Sequence, residues 1–476
     1  MATDKYAPTP QDSCTAPGRR RSCLSRCYKN QPQWNALGSV SFILISGGMS
    51  LAWGVGFAVH SAHRDELLMT FHMQVSWYAA ATIGAVLGAL CTHRLPCQQP
   101  VYILGSCLVL VSGILFLTCH EQPAAIITAR YLDGLANGLV FVPAMSTVGE
   151  LSVCGMRGLL ASTVEQLSCN TGILLQLLYT AVWQVDWNVT IAADQVHGVL
   201  SILLGVVALA FASTLCVESP VSLLLRSNEQ QAVAALRHLQ RPYMVTSETL
   251  LQLDEHKLYV ATNRGLSLWQ SIRMGVPPLL KLLAHRSLNA LCLTLVVWSA
   301  LYETAVQLLT HFHAWPYVIF GVMRWCGCFC VLLLMDTTGR KKPTLFGCFS
   351  CGSLALAFAT LFGRTPHMKA ALGLLFSLQF FAGLGQTASA VYLTEAFPLA
   401  IKPQYVALVY VMELLLRLIF CSFAPSSPAG IVAYFYVLGG LSMAFFFLGI
   451  FCLPETRRTT LTEAQQKFSK WFNKDF

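Results

Sequence analysis

The chain reads as an all-α membrane protein with twelve transmembrane helices in two six-helix bundles, on three observations. It is 55% apolar, it is only 11% charged, and its apolar residues gather into runs of the roughly 20 residues that a bilayer crossing needs. Soluble chains are about 25% charged, so 476 residues of this composition, with a mean hydropathy of +0.58, do not cover a water-facing surface.

Taken in order, runs fall at 39–61, 72–91, 100–119, 122–147, 159–183 and 197–216, then at 287–311, 314–336, 344–363, 370–396, 403–424 and 429–453. The expected divisions are a polar, basic and disordered tail (1–36), a first bundle (37–216), a loop (217–286), a second bundle (287–453) and a short tail (454–476). The loop is charged and amphipathic in EQQAVAALRHLQ and SETLLQLDEHKLYV, which predicts short surface helices. No cleavable signal is expected, because the first apolar run is too long and begins too late.

Lys and Arg are retained on the cytoplasmic side of membranes. With both termini cytoplasmic, the outward loops hold only Arg64, Arg364 and Lys369, and Arg130, Arg324 and Arg417 fall inside helices; the other 25 of 31 basic residues lie on the cytoplasmic side. The net charge of +9 then expresses topology and attraction to anionic inner-leaflet lipid, and nucleic-acid binding is not needed to explain it. Asn188-Val189-Thr190 is a glycosylation sequon in a loop expected outside, making Asn188 the candidate acceptor. The eighteen cysteines lack metal-ligand spacing. Cys348/Cys351 and Cys326/Cys328/Cys330 lie in apolar helices, where thiols behave as small hydrophobes, while Cys14, Cys23 and Cys27 are expected reduced in the cytosol. Neither a metal nor a cofactor is expected, and no nucleophile–base pair suggests an enzyme.

The fourth run and its exit, 129–158, carry Arg130, glycines four apart (Gly134, Gly138), Glu150 and Arg157-Gly158. Small residues at that spacing let another helix approach closely in lipid. Further charged motifs follow at helix ends: Val217-Glu218-Ser219-Pro220, Asp336 with Gly339-Arg340-Lys341-Lys342, Glu395-Ala396-Phe397-Pro398 with Lys402, and Pro454-Glu455-Thr456. In this order the set resembles the sugar porters of the major facilitator superfamily, over some 320 residues, with Val217 where the family has a proline. The resemblance implies the major facilitator fold and a network of Glu150, Arg157, Glu218, Asp336, Arg340, Glu395 and Lys402 that pairs when the cytoplasmic face is closed. It implies that Glu150 faces Arg340 and that Glu218 joins them. Exposed ion pairs contribute about 0–1 kcal/mol each, so several must act together to bias a two-state equilibrium. Between the second and third runs, however, Thr92-His93-Arg94-Leu95-Pro96-Cys97-Gln98 keeps one arginine of a family GRR loop. Glu395 thereby lacks its family partner, Arg94 or Lys402 is left to replace it, and a weakened lock is expected.

Transporter sites lie near the bilayer midplane between the two halves. On the fifth run Glu165, Gln166 and Asn170 are candidates. Alignment on Gly172 puts Gln166 on the family's sugar-binding glutamine, and alignment on Arg157-Gly158 puts Glu165 there; Gln166 is preferred. On the seventh run the family's row of amides is replaced by Trp298–Thr304, leaving Glu303 and Thr304 as polar groups. On the eighth the family's asparagine falls on Arg324; on the tenth its glutamate and tryptophan fall on Ala382 and Ala390, with Gln386 as the remaining polar group and Gly383 and Gly385 as break points. Glu413 and Arg417 stand four apart on the eleventh, a pairing distance. A mid-membrane charge is paired or lines a wet cavity. Glu303 with Arg324 is therefore either a structural ion pair or a site in which Arg324 recognises an anionic solute. The first run lacks the acid of proton-coupled sugar porters, which leans towards facilitative movement, although Glu165 and Glu303 remain proton candidates. Asp133 beside Arg130 reads as a charge cluster.

The function expected is alternating-access transport of a small polar solute, with hexose, disaccharide or polyol first. The alternatives are an organic anion transporter using Arg324 and a sensor-like member that no longer transports. Its partners are the solute and the lipid bilayer, its default state is a monomer, and its expected location is the plasma membrane.

Overall fold

A computed structural model describes residues 27–61, 70–184, 191–309, 313–364, 367–425 and 427–473. Asn188, Cys14 and Cys23 lie outside the described residues. The first half holds α1 (Gln31–Ser61), α2 (Phe71–Arg94), α3 (Gln99–Thr118) and α4 (Pro123–Leu151). Next comes α5, built from Arg157–Ser162, a π-helical turn at Thr163–Leu167 and Ser168–Gln184, and then α6 (Ala193–Thr214). Three short helices follow, α7 (Pro220–Leu225), α8 (Glu229–His238) and α9 (Ser247–Arg264). The second half holds α10 (Leu268–Leu291), α11 (Leu295–Leu309), α12 (Trp315–Thr338), α13 (Lys341–Leu361) and α14 (Met368–Gln386). It ends with α15 (Ala388–Glu395), α16 (Lys402–Ser422), α17 (Pro428–Cys452) and α18 (Leu461–Ser469).

Among the described residues eleven stretches are long and apolar enough to cross a membrane, with 268–309 counted as one. The fifth expected crossing is α5, whose π turn divides it. Each half repeats three helix pairings: α1 with α5, α2 with α4 and α3 with α6 in the first, then α10 with α16, α12 with α14 and α13 with α17 in the second. The halves meet where α2 packs on α16 and α5 on α12. Such internal repetition places a site at the interface of the repeats. The outer helix faces expose Leu104, Ile114, Leu203, Leu333 and Phe447, apolar surface that lipid covers and water does not.

Close backbone packing explains α4. A Cβ on Gly134 would come within 2.4 Å of the Trp77 carbonyl, and one on Gly138 within 2.1 Å of the Ala81 carbonyl, both on α2. A side chain at either position forces the helices apart, the outcome that the glycine spacing predicts.

Two elements differ from expectation. The seventh crossing does not begin at 287: α10 starts at Leu268, carries Pro277 and Pro278, and gives way to α11 across 292–294. Lys281, His285 and Arg286 made this stretch look like a cytosolic loop, yet Arg286 is buried and paired. The C-terminal stretch also folds, as α18 buries Leu461, Ala464 and Phe468 completely. Leu461 joins Val221, Leu236 and Tyr259 in an apolar cluster built mainly from α7, α8 and α9, so these short helices form one layer at the end of the molecule where the charged motifs gather. That end is called the basic end below.

Candidate functional site

A cleft lies where the halves meet, with about 560 Å³ of space when the part open to solvent is counted. The first half lines it with Gly47, Trp77, Asn137, Glu165, Gln166 and Asn170, and the second with Arg286, Asn289, Arg324, Tyr410, Glu413 and Arg417. The π turn of α5 carries Glu165 and Gln166, which are both buried. A π turn inserts one residue into the helical ladder and re-aims the side chains around it. Gln166 Nε2 donates to Glu165 Oε1 at 2.7 Å, so the two positions between which sequence alignment wavers occupy the wall together.

Arg286 is the hub. Its Nη1 donates to Glu165 across the interface between halves, its Nε donates to Glu413 Oε2 at 2.8 Å, and its Nη2 lies 2.6 Å from the same oxygen. Arg417 Nη2 bonds Glu413 Oε1 at 2.7 Å, the i,i+4 pair read from the sequence. Asn289 joins the two sides of the cluster, donating from Nδ2 to Glu413 Oε1 at 3.1 Å and accepting at Oδ1 from Arg324 Nη2 at 2.8 Å. Arg324 also donates from Nε to Asn170 Oδ1 and from Nη1 to Gln379 Oε1, both at 3.0 Å. Phe141 of α4 and Tyr410 of α16 stack with centroids 3.7 Å apart and planes 12° apart, an apolar contact from one half to the other beside these charges.

Of the residues singled out in the sequence, Gln166, Asn170 and Arg324 come together here, as do Glu413 and Arg417. Glu303 and Thr304 do not. The expected Glu303–Arg324 pair is not formed: Arg324 is held by amides, Glu303 is half-buried outside the cleft lining, and Thr304 bonds its own helix at Ala300 O, 2.7 Å away. The displaced register of the seventh crossing is the reason, since it brings Arg286 and Asn289 to the depth assigned to 298–304. Gln386 is buried at the break between α14 and α15, away from the cleft lining, and its side-chain oxygen meets no donor among the described residues. Sequence reading missed Arg286, Asn289, Gln379 and Asn137. Arg286 and Asn289 stand three apart within VPPLLKLLAHRSLNALCLT, and that polar pair on one face of an apolar run was the available signal.

At the basic end a second cluster joins the halves. Lys402 of α16 lies 3.0 Å from Glu150 of α4, whose other oxygen accepts from Ser219 Oγ at 2.5 Å. Glu395 pairs with Arg340 and with Arg157 Nη1 at 3.5 Å, while Arg157 Nη2 reaches Glu255 of α9 at 3.3 Å. The partners are therefore exchanged relative to expectation: Glu150 faces Lys402 instead of Arg340, and Glu395 has Arg340 and Arg157. With Glu395 paired, the ground for a weakened lock is gone. Glu218 turns aside to Arg226, 2.8 Å away. Arg94 is exposed and forms no ion pair among the described residues; in the same loop the Pro96 carbonyl accepts from Arg226. Asp336 makes no ion pair among the described residues; its Oδ1 lies 2.8 Å from where a Cβ on Gly158 would sit.

Gly339 turns the chain between α12 and α13 at φ +94° and ψ −179°, a conformation that costs other residues about 1–3 kcal/mol. There Glu455 accepts from the backbone N–H groups of Arg340, at 3.1 and 3.0 Å, and of Lys341, at 3.1 Å. The Gly339-Arg340 and Pro454-Glu455-Thr456 motifs thus form a single joint, a carboxylate on a helix N-terminus. In the layer outside the bilayer, His256 is fully buried and neither ring nitrogen has a partner among the described residues. Burial holds its pKa below the usual histidine value; Arg157 and Lys402 push it the same way, against Glu255 and Glu150.

Comparison with known proteins agrees with this geometry. The family model described as "Sugar (and other) transporter" matches residues 35–468. The chain is 25% identical over 341 residues to the solute carrier family 2, facilitated glucose transporter member 8, of Mus musculus, covering 69% of this chain and 67% of that protein. Of the Bos taurus protein with the same description it spans 58%. It is 24% identical to the probable metabolite transport protein CsbC of Bacillus subtilis, over 83% of this chain and 85% of that one. In fold it is similar to the proton:xylose symporter XylE bound to 6-bromo-6-deoxy-D-glucose, with a TM-score of 0.74 at 18% identity over 92% of this chain and 98% of the other. The chain belongs to the Sugar (and other) transporter family of the major facilitator superfamily, a family of multi-pass membrane transporters.

Proposed function

We propose that the chain moves a small, hydroxyl-rich polar solute across the membrane by facilitated alternating access, the two halves rocking about the central cleft. Hexoses are the class that the glucose-transporter relatives' names suggest, and disaccharides and polyols offer the same hydroxyls. The observation that carries this reading is that the cleft is lined from both halves while Glu150–Lys402 and Arg157–Glu395 tie the same two halves at one end. Those contacts can break without unfolding either half, and breaking them opens a path from the basic end to the cleft. The basic end faces the cytoplasm, since it gathers the Lys and Arg that membranes retain inside; the loop with Asn188 then lies outside, available to glycosylation, in the plasma membrane or a membrane continuous with it.

Uptake into vesicles reconstituted with the purified chain tests this, with glucose, fructose, trehalose and inositol as solutes. Saturable uptake that stops at equal concentrations inside and out, with or without a proton gradient, is expected. Accumulation driven by an inward proton gradient contradicts the facilitative part. A folded protein that carries none of these solutes, nor urate or lactate added to the panel, contradicts transport and leaves the sensor-like reading.

A further inference from the structure

We propose that the solute is a polyhydroxylated monocarboxylate, whose carboxylate is taken by Arg324 and one of whose hydroxyls is taken by Glu165. This rests on the transport reading above and names the class of solute.

Among the described residues the cleft is lined by three guanidinium groups, Arg286, Arg324 and Arg417, and by two carboxylates, Glu165 and Glu413. Arginine stays protonated, so the site holds one positive charge in excess, and the bonding shows where. Arg286 and Arg417 each bond a carboxylate. Arg324 is 3% exposed and among the described residues meets only the neutral oxygens of Asn170, Gln379 and Asn289. Those three bonds use its Nε–H and one N–H on each terminal nitrogen. A guanidinium has five N–H donors, so one remains on each Nη. Two donors on a planar fork match the two oxygens of a carboxylate, which is why arginine is favoured for bidentate carboxylate recognition.

The amides keep Arg324 in place without neutralising it. A charge buried in a membrane without a counterion is unfavourable by several kcal/mol, and a bound monoanion removes that penalty, whereas a neutral sugar leaves it. The second half of the proposal comes from a different atom. Glu165 Oε1 is occupied by Arg286 and Gln166, while its Oε2 is buried and meets no donor among the described residues. A carboxylate oxygen accepts hydrogen bonds and repels another anion, so a donor completes it, and the hydroxyls of the solute class proposed above supply one. One carboxylate and at least one hydroxyl on the same small molecule satisfy both vacant valences.

D-gluconate and D-glucitol form a matched pair for the test, because they share a six-carbon hydroxylated chain and differ by a carboxylate at one end. Binding to the purified protein is followed by the fluorescence of its tryptophans, one of which, Trp77, lines the cleft, and flux is followed in vesicles. Gluconate is expected to bind at least tenfold more tightly than glucitol, and propionate, a carboxylate without hydroxyls, at least tenfold more weakly than gluconate. Arg324→Gln is expected to bring gluconate and glucitol within about twofold of each other. Should that variant fail to fold, Arg324→Lys retains the charge without the fork and is expected to lower the gluconate preference at least threefold. Glucose carried while gluconate is neither bound nor carried overturns the inference and leaves transport standing. Gluconate bound without flux keeps the inference and removes the transport reading. Propionate or chloride bound as tightly as gluconate overturns the hydroxyl at Glu165 and the proposed class with it.

Discussion

The two buried ion clusters of this protein differ in their balance. Among the described residues of the basic end the two buried cations that join the halves each have a carboxylate, Lys402 with Glu150 and Arg157 with Glu395 and Glu255, and Arg340 shares Glu395 within the second half. In the central cleft three guanidiniums share two carboxylates, and Arg324 is left with amides. A set in which each of these cations already has a carboxylate suits a latch. An open set, with a charge and an acceptor unmet, suits a binding site. Both clusters span the halves, so the proposed rocking would loosen both, and the comparison predicts that they respond differently to loss of a member.

The largest effect is expected from Arg286→Gln. It leaves Glu165 and Glu413 buried without their common cation, and removing one partner of a buried pair costs about 3–5 kcal/mol; a fall in melting temperature at neutral pH, larger than for Arg417→Gln, is the readout. Lys402→Met at the basic end leaves Glu150 with Ser219 alone. A hydrogen bond to a charged group contributes about 1.5–3 kcal/mol, which predicts at least a tenfold rise in thiol labelling of a cysteine placed at Phe141. Unchanged labelling would mean that this pair is no part of the latch. Gly339→Ala forces a side chain to within 2.4 Å of Glu455 Oε2 at a positive-φ backbone position that favours glycine and is expected to cost about 1–3 kcal/mol. Glu455→Gln added to it should cost less than it does alone, since the two share one joint.

The smallest effect is a pH dependence from His256. Its folded pKa is lowered by burial, whereas in the unfolded chain it titrates near about 6.5. Above that value both states are neutral and the group has no effect. As pH falls below it, the unfolded chain takes up a proton that the fold refuses, so stability is lost by up to about 1.4 kcal/mol per pH unit. His256→Leu should flatten the melting temperature between pH 7 and 5.5, and an identical slope in both proteins would remove His256 from the account.

The architecture was legible because lipid imposes long apolar runs on the sequence, and α2, α3, α4, α6 and α12 to α17 lie close to the runs read from it. The cluster at the basic end was legible as a set of residues, since charged motifs at helix ends interrupt those runs. Its pairing was not: Glu150, Arg340, Glu395 and Lys402 are all present, and which acid meets which base depends on helix rotation that no spacing encodes. The cleft was half legible. Gln166, Asn170 and Arg324 stood out as polar groups within apolar helices. Arg286 did not, because beside Lys281 and His285 it reads as part of a cytosolic loop, and only packing shows that Glu165 and Glu413 surround it. Placing the seventh crossing too late then drew attention to Glu303 and Thr304. The folding of α18 was missed for a related reason, as its apolar residues are few and find their partners on α7 to α9.

The claim that matters most is that ion pairs at the basic end hold the halves together and that loosening them exposes the cleft there. It is tested most directly by the distance between spin labels carried on non-native amino acids at Arg94 and Lys342, exposed positions on opposite halves of that end. Glu395→Gln removes the charge shared by Arg340 and Arg157 and is predicted to move the population from a short distance to a longer one. A distribution that stays the same in the folded variant would contradict the account.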